Sequence, residues 1–331
     1  MTTVLGTWVH NMDPVLVKVW GPLQLRWYGL SYLLGFVAAY FVLKWLARKR
    51  LWVVEESKVA DFIAFGAMFG VFLGGRLGYV LFYMIPEQGL GTVLTDPLKI
   101  FRVWDGGMAS HGGFLGLMIF TYVYARMTKL SWSAIGDGLV VACPLGLLFG
   151  RLANFINGEL YGRVADGVGW AVKFPAALFD GRVVESSRQA EAASAMQAVD
   201  PEAHLGNVVE RMRDNPELQK AVGEFLEPRH PSQLYEAFLE GAVLFAVLLF
   251  LRVRFPRLAR GVLTGTFFFL YAVFRIVAES FREPDSAWII EDVLTKGQFY
   301  SLFMFVIAAG FYGYAWKWGG KWEPGTLNPE R

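Results

Sequence analysis

Cysteine is almost absent from this chain: Cys143 is the only one in 331 residues. An intrachain disulfide and a thiolate metal cluster are therefore both excluded. Cys143 itself lies in an apolar run, where a small buried hydrophobe is the ordinary reading. Charge is also scarce. Asp, Glu, Lys and Arg together make up 18% of the residues, against about 25% in soluble domains. Neither sign dominates, since the formal net charge is +2, so bulk electrostatics give no reason to invoke nucleic acid. Histidine occurs four times, as His10, His111, His204 and His230, without metal-ligand spacing, and no metal or cofactor is expected. A basic segment followed by a short apolar core and a cleavage site is missing at the N-terminus, so no signal peptide is expected. Internal repeats and low-complexity tracts are missing too.

What the chain has is apolar and aromatic residues, 55% and 16% of the total. A membrane-spanning helix needs about 20 mostly apolar residues. Seven stretches qualify as candidates: 23–46, 60–84, 111–127, 133–152, 233–251, 261–281 and 298–318. The third is short and glycine-rich at its start. The expected fold is an all-α polytopic membrane protein with an external head subdomain. Residues 1–152 carry the first four helices, 153–232 the signature loop and head, and 233–331 the last three helices. Gly66, Gly70 and Gly74, with Gly75 and Gly78 beyond, put small residues at a spacing of four on the second span, which suits close helix packing.

Basic residues next to span ends set orientation. Lys44, Arg48, Lys49, Arg50 and Lys58 follow the first span; Arg126 and Lys129 follow the third; Arg252, Arg254, Arg257 and Arg260 follow the fifth; Lys317 and Lys321 follow the seventh. All fall on one side, which is expected to be cytoplasmic, with the N-terminus outside. The connection over 153–232 then faces outward. Its middle, from Asp180 to Glu227, is polar and alanine-rich, and reads as one or two amphipathic helices or as a disordered insert.

Ionisable groups inside spans are costly and are functional candidates. At about 1.5 Å of rise per residue, Arg76, His111, Arg151, Arg275 and Tyr28 all reach the outer half of the membrane. Tyr271, Arg275, Glu279 and Arg282 form one polar stripe on an otherwise apolar helix, since residues three and four apart share a face. The stretch GRLANFINGELYGR, 150–163, ends a greasy helix with a cation and amides. Arg151 and Asn154 share a face, Gly158 ends or turns the helix, and Asn157 and Glu159 return on the loop. Gly162 permits a positive φ or a close backbone approach. An arginine fork suits a phosphate. HGGFLG, from His111, offers a histidine followed by Gly112 and Gly113, a pair that leaves room for an acyl chain or a substrate backbone. RHPSQLYE, 229–236, opens the fifth span as a helix start, with Gln233, Tyr235 and Glu236 able to face a cavity. Polar residues in spans also suit a lipid transporter, although that class usually carries internal repeats and charges near the midplane.

With these motifs in view, the chain resembles the phosphatidylglycerol–prolipoprotein diacylglyceryl transferase family of bacteria. The resemblance rests on WYGL (27–30), FLGGRLGYVLFY (72–83), FRVWDGGMASHGG (101–113), GRLANFINGELYGR (150–163), RHPSQLYE (229–236) and FRIVAESFREPD (274–285). It stops in the tract from about 180 to 227, which is longer than usual for the family. The resemblance implies an enzyme of the cytoplasmic (inner) membrane. Such an enzyme joins the diacylglyceryl group of phosphatidylglycerol to the lipobox cysteine thiol of a preprolipoprotein and releases glycerol 1-phosphate. Matched to the family motifs, His111 is the base, and Arg151 and Arg275 bind and stabilise the phosphate. Tyr28, Asn154, Glu159, Tyr271 and Glu279 position the headgroup or the arginines, and Gly112, Gly113, Gly158 and Gly162 shape the site.

Overall fold

The computed structural model describes residues 8–20, 23–102, 106–204, 206–284, 290 and 295–320. Lys321, Asp285 and residues 103–105 of the quoted motifs lie outside the described residues. The first elements are a short hairpin, β1 (Val15–Trp20) and β2 (Leu23–Arg26), paired antiparallel. The long helices follow: α1 (Trp27–Arg48), α2 (Glu56–Gln88), α3 (Ser110–Thr128) and α4 (Trp132–Asn157). After a loop come β3 (Val172–Lys173), the short helices α5 (Ser186–Val199), α6 (Val208–Asp214) and α7 (Pro216–Phe225), and β4 (Pro228–Arg229), which pairs with β3. Helices α8 (Ser232–Arg254), α9 (Val262–Glu279) and α10 (Lys296–Lys317) end the described chain.

Six of these helices, α1, α2, α4, α8, α9 and α10, are long and apolar enough to cross a membrane. Large apolar side chains stay exposed on these helices, among them Phe41, Phe69, Phe82, Phe250 and Val306. Such a surface is stable only where the solvent is itself apolar. The chain is a multi-pass, all-α membrane protein. The expected third span is the exception. It is the 19-residue helix α3, about 28 Å long at 1.5 Å per residue. Its Ser-His-Gly-Gly start and Arg126 near its end dilute its hydropathy below that of the other six.

By contacts the chain forms two compact units, each discontinuous in sequence. The first comprises Met1–Gly35, Pro144–Ala246 and Phe268–Ile307; the second comprises Phe36–Cys143, Val247–Phe267 and Ala308–Arg331. In the second unit, α3 runs antiparallel along α2. A Cβ on Gly74 would lie 2.6 Å from the Gly112 carbonyl oxygen, and one on Gly78 would lie 2.5 Å from the Gly112 Cα. Gly70 meets Leu117, and Gly66 meets Phe120. The small-residue stripe thus works as expected, as a backbone-to-backbone seam. Asp137 fastens another corner of this unit. Its carboxylate accepts from the Gly261 N–H at 2.7 Å and from the Thr264 N–H and hydroxyl at 2.9 and 2.8 Å. It thereby satisfies donors at the start of α9 that have no partner inside the helix.

In the first unit, the tract from 180 to 227 folds around its own core. Leu178, Ala192, Met196, Val208, Met212, Leu218 and Val222 are all buried together. The tract is helical, but it holds three helices where one or two were expected. Asn215 caps α7 by accepting from the Leu218 N–H at 3.1 Å, and Pro216 occupies its first turn, as helix starts prefer.

Candidate functional site

The end of α4 is built as its sequence suggests. Gly158 has φ of +69°, a left-handed geometry that stops the helix at low cost for glycine alone. A Cβ on Gly162 would meet the carbonyl oxygens of His230 at 2.3 Å and Phe281 at 2.6 Å, so three chain segments meet there without room for a side chain. The Gly162 N–H donates to His230 O at 2.9 Å. Asn154 donates through Nδ2 to Glu159 Oε1 at 2.8 Å, and Asn157 donates to the same oxygen at 3.3 Å. Gln233 fixes the loop from the other side by donating to Glu159 O at 2.6 Å.

Arg151 and Arg275, from different helices, meet over the same carboxylates. Arg151 Nε lies 3.2 Å from Glu236 Oε2, and its Nη2 donates to Glu240 Oε2 at 3.2 Å. Arg275 donates through Nη1 to Glu236 Oε1 and lies 3.7 Å from Glu240 Oε1. Arg282 adds a third cation, with Nη1 3.0 Å from Glu236 Oε1. Glu279 Oε2 is 2.7 Å from Arg275 Nη2, an ion pair one helical turn apart, while Glu279 Oε1 accepts from the Thr295 hydroxyl at 3.0 Å. Glu236 and Glu240 are fully buried, and the arginine side chains are between 5% and 17% exposed. Among the described residues, three arginines face three glutamates. Such an arrangement satisfies buried charge only because every partner is present. The Glu240 Oε1 atom is buried with no hydrogen-bond partner.

Tyr271 lies within electrostatic reach of Glu240, Arg151, Arg275 and Glu236. Tyr28 stands at the start of α1, exposed, with its ring 5.4 Å from that of Tyr32. The first unit thus brings together Arg151, Asn154, Glu159, Tyr271, Arg275 and Glu279. It also adds Glu236, Glu240 and Arg282, which the motif-based assignment left out. Glu236 and Glu240 are spaced four apart at the start of α8, and two carboxylates on one apolar helix were the available signal. The backbone widens to i→i+5 bonding over Ala237–Val243, a rare local form often associated with functional sites.

His111, Gly112 and Gly113 belong to the second unit. His111 lies in the first turn of α3, is exposed, and has no hydrogen-bond partner among the described residues. The expectation that Gly112 leaves room for an acyl chain is corrected: α2 fills that space, with the Gly74 carbonyl oxygen 2.4 Å from where a Cβ would stand. Gly113 likewise faces α2, with Val71 O 3.3 Å from its Cβ position. Arg76 is also not free to bind an anion, because backbone carbonyls occupy its guanidinium.

Beyond the bilayer helices, Asp180 and His10 are among the groups whose titrations are displaced. Asp180 accepts a fork from Arg182, and that contact holds its carboxyl down at about 2. Burial among Phe155, Phe174 and Trp8 lowers the basicity of His10, whose Nε2 is 2.7 Å from Phe155 O.

The chain is thus a polytopic membrane protein with a desolvated arginine–glutamate cluster on three of its segments. A sequence model described as prolipoprotein diacylglyceryl transferase matches residues 14–314. The chain belongs to this family. It is 37% identical over 318 residues to the phosphatidylglycerol–prolipoprotein diacylglyceryl transferase of Shigella boydii serotype 4 (strain Sb227), covering 93% of this chain and 94% of the relative. It is 38% identical over 316 residues to the same enzyme of Psychrobacter arcticus, again covering 93% and 94%. The Escherichia coli K12/DH10B enzyme is 38% identical over 319 residues at the same coverage. These relatives are transferases of bacteria by name, and nothing among them speaks for a transporter.

Proposed function

We propose that this chain transfers the diacylglyceryl group of phosphatidylglycerol to the lipobox cysteine of preprolipoproteins. The family membership supports the reaction, and the Arg151–Arg275 pair over shared carboxylates supports the site. In this reading the substrate brings its own nucleophile, so Cys143 has no part in the chemistry. The cysteine sulfur attacks glycerol C3 and forms a C–S bond. The C3–O bond to phosphate breaks, and glycerol 1-phosphate leaves with the electron pair. The thiol proton passes to His111, an imidazole acting as general base.

Arg151 and Arg275 stabilise charge on the departing phosphate. Their forks are fixed before substrate arrives, and preorganised donors in a site of low dielectric give more stabilisation than the same groups in water. Glu236 holds both arginines in register, and Glu279 holds Arg275 from the other side. Asn154 and Glu159, tied to each other and to Gln233, line the same helix end, and Tyr271 and Tyr28 complete the polar face toward the headgroup. The enzyme sits in the cytoplasmic membrane with its N-terminus outside and C-terminus inside. That orientation needs an odd number of crossings. Helix α3, antiparallel to α2 over most of its length, supplies the seventh.

The test is a purified-protein assay with phosphatidylglycerol and a lipobox peptide, reading released glycerol 1-phosphate and thioether-linked product. Absence of both, with folded protein and both substrates bound, overturns the proposal. Movement of intact phosphatidylglycerol between leaflets without thioether product would favour a transporter instead.

A further inference from the structure

Arg76 carries an unusual set of partners. It is 4% exposed on α2, and among the described residues no carboxylate pairs with it. Its Nε donates to Ile100 O at 2.7 Å, Nη1 to Gly106 O at 2.5 Å and Gly107 O at 3.0 Å, and Nη2 to Lys99 O at 2.7 Å. Four of the five guanidinium N–H groups are thus used on backbone carbonyls. Arg151 and Arg275 spend their forks on carboxylates. Arg76 spends its fork on the chain just ahead of His111.

The same stretch is held at further points. The Ala109 N–H donates to Gly75 O at 2.9 Å. Gly107 takes φ of +86° and packs on the Tyr79 ring so closely that a Cβ would lie 2.3 Å from it. That ring also sits 5.5 Å from the Arg76 guanidinium carbon. Gly112 then locks against Gly74 and Gly78. Among the described residues no side chain hydrogen-bonds the His111 ring, so the backbone on either side of it is what aims the imidazole. A base held by one helix turn is only as well aimed as the chain entering that turn.

We propose that Arg76 is a positioning residue for His111. By clamping the carbonyls of Lys99, Ile100, Gly106 and Gly107 onto α2, it sets where the imidazole meets the incoming thiol. This rests on the reading of His111 as the base. It adds that the clamp is built for the thiol-activating half of the reaction and has no part in lipid binding. Lysine keeps the charge but cannot serve four carbonyls from one planar fork.

The experiment compares Arg76→Lys, Gly107→Ala and His111→Gln with the unaltered protein across pH, with phosphatidylglycerol and a lipobox peptide. Gly107→Ala disturbs the accepting backbone and leaves the guanidinium intact, and it serves if Arg76→Lys does not fold. At about pH 7, Arg76→Lys should lower kcat by about 10- to 100-fold, the scale of a base displaced by about 1 Å. KM for phosphatidylglycerol should stay within about twofold. At about pH 9.5 the thiol, with a reference pKa of about 8.5, ionises unaided, so the deficit should shrink to about threefold or less. His111→Gln should converge on the unaltered protein in the same way. A deficit that stays constant across pH in Arg76→Lys and Gly107→Ala, while His111→Gln converges, overturns the positioning role and leaves His111 as the base. Normal turnover of His111→Gln at pH 7 removes the base assignment itself, and the inference falls with it.

Discussion

Glu236→Gln is the most informative single perturbation of the cluster. Glu236 is fully buried and sits within 3.2 Å of Arg151 and 3.0 Å of Arg282, with Arg275 bonded to its other side. Three cations thus share this one carboxylate. The amide preserves shape and one acceptor but removes a charge, leaving three arginines against two glutamates in a desolvated site. Removing one partner of a buried ion pair costs about 3–5 kcal/mol, a large part of a typical stability of about 5–15 kcal/mol. Taking about 2 °C of melting midpoint per kcal/mol for a chain of this size, the variant should unfold roughly 6–10 °C lower in detergent. The lost charge is one an anionic lipid can replace, so phosphatidylglycerol should raise the midpoint of the variant more than that of the unaltered protein. A neutral lipid of matched acyl chains should not. The assay is thermal unfolding in detergent with each lipid. A midpoint within about 2 °C of the unaltered protein, with equal shifts on adding phosphatidylglycerol, would refute the view that Glu236 anchors the arginines.

Arg151→Lys and Arg275→Lys should each lower kcat by roughly 100- to 1,000-fold in the glycerol phosphate assay, because lysine keeps the charge and loses the fork; normal turnover in both would dissolve the shared-phosphate assignment. Cys143→Ala should retain most activity. Near-complete loss in a folded variant would mean that the chain forms a covalent intermediate through its own thiol.

Hydropathy made the long helices readable because the bilayer imposes a length and a composition on each. Its signal was weakest on α3, where a polar first turn and packing against glycines replace apolar bulk. The stripe of Tyr271, Arg275 and Glu279 was readable from spacing, but Arg282, expected on the same face, lies beyond the helix end at Glu279, where it bridges to Gly162. The hub was not readable. Glu236 and Glu240 pair with arginines of α4 and of the α9 segment, and nothing in the linear spacing of 236 and 240 names Arg151 or Arg282 as partners. Arg76 illustrates the same limit more sharply. Its partners are carbonyls, which every residue owns, so no spacing in the sequence announces them. Gly158 and Gly162 were legible for a simpler reason: a left-handed turn and a three-segment crossing both exclude a Cβ, and glycine is the residue that lacks one.

An incoming anion sets the described cluster a problem that one carboxylate is placed to solve. A phosphate diester adds one negative charge to three arginines already matched by three glutamates, so a carboxylate must yield some of its hold. Glu236 is bound by three arginines, and Glu279 by Arg275 and the Thr295 hydroxyl. Glu240 is held least: Arg151 Nη2 reaches one oxygen at 3.2 Å, while the other accepts no hydrogen bond and lies 3.7 Å from Arg275. Glu240→Gln should therefore be milder than Glu236→Gln. The amide can still accept from Arg151, and the loss of one negative charge favours an incoming anion. The expected outcome is a melting midpoint lowered by less than half the Glu236→Gln shift, with phosphatidylglycerol bound as tightly as before or up to about tenfold tighter, the equivalent of about 1.4 kcal/mol. Equilibrium binding of a labelled phosphatidylglycerol to both variants measures this directly. If Glu240→Gln destabilises as strongly as Glu236→Gln, or if it loses the lipid, then Glu240 is as integral to the scaffold as Glu236, and the anion must be accommodated without displacing it.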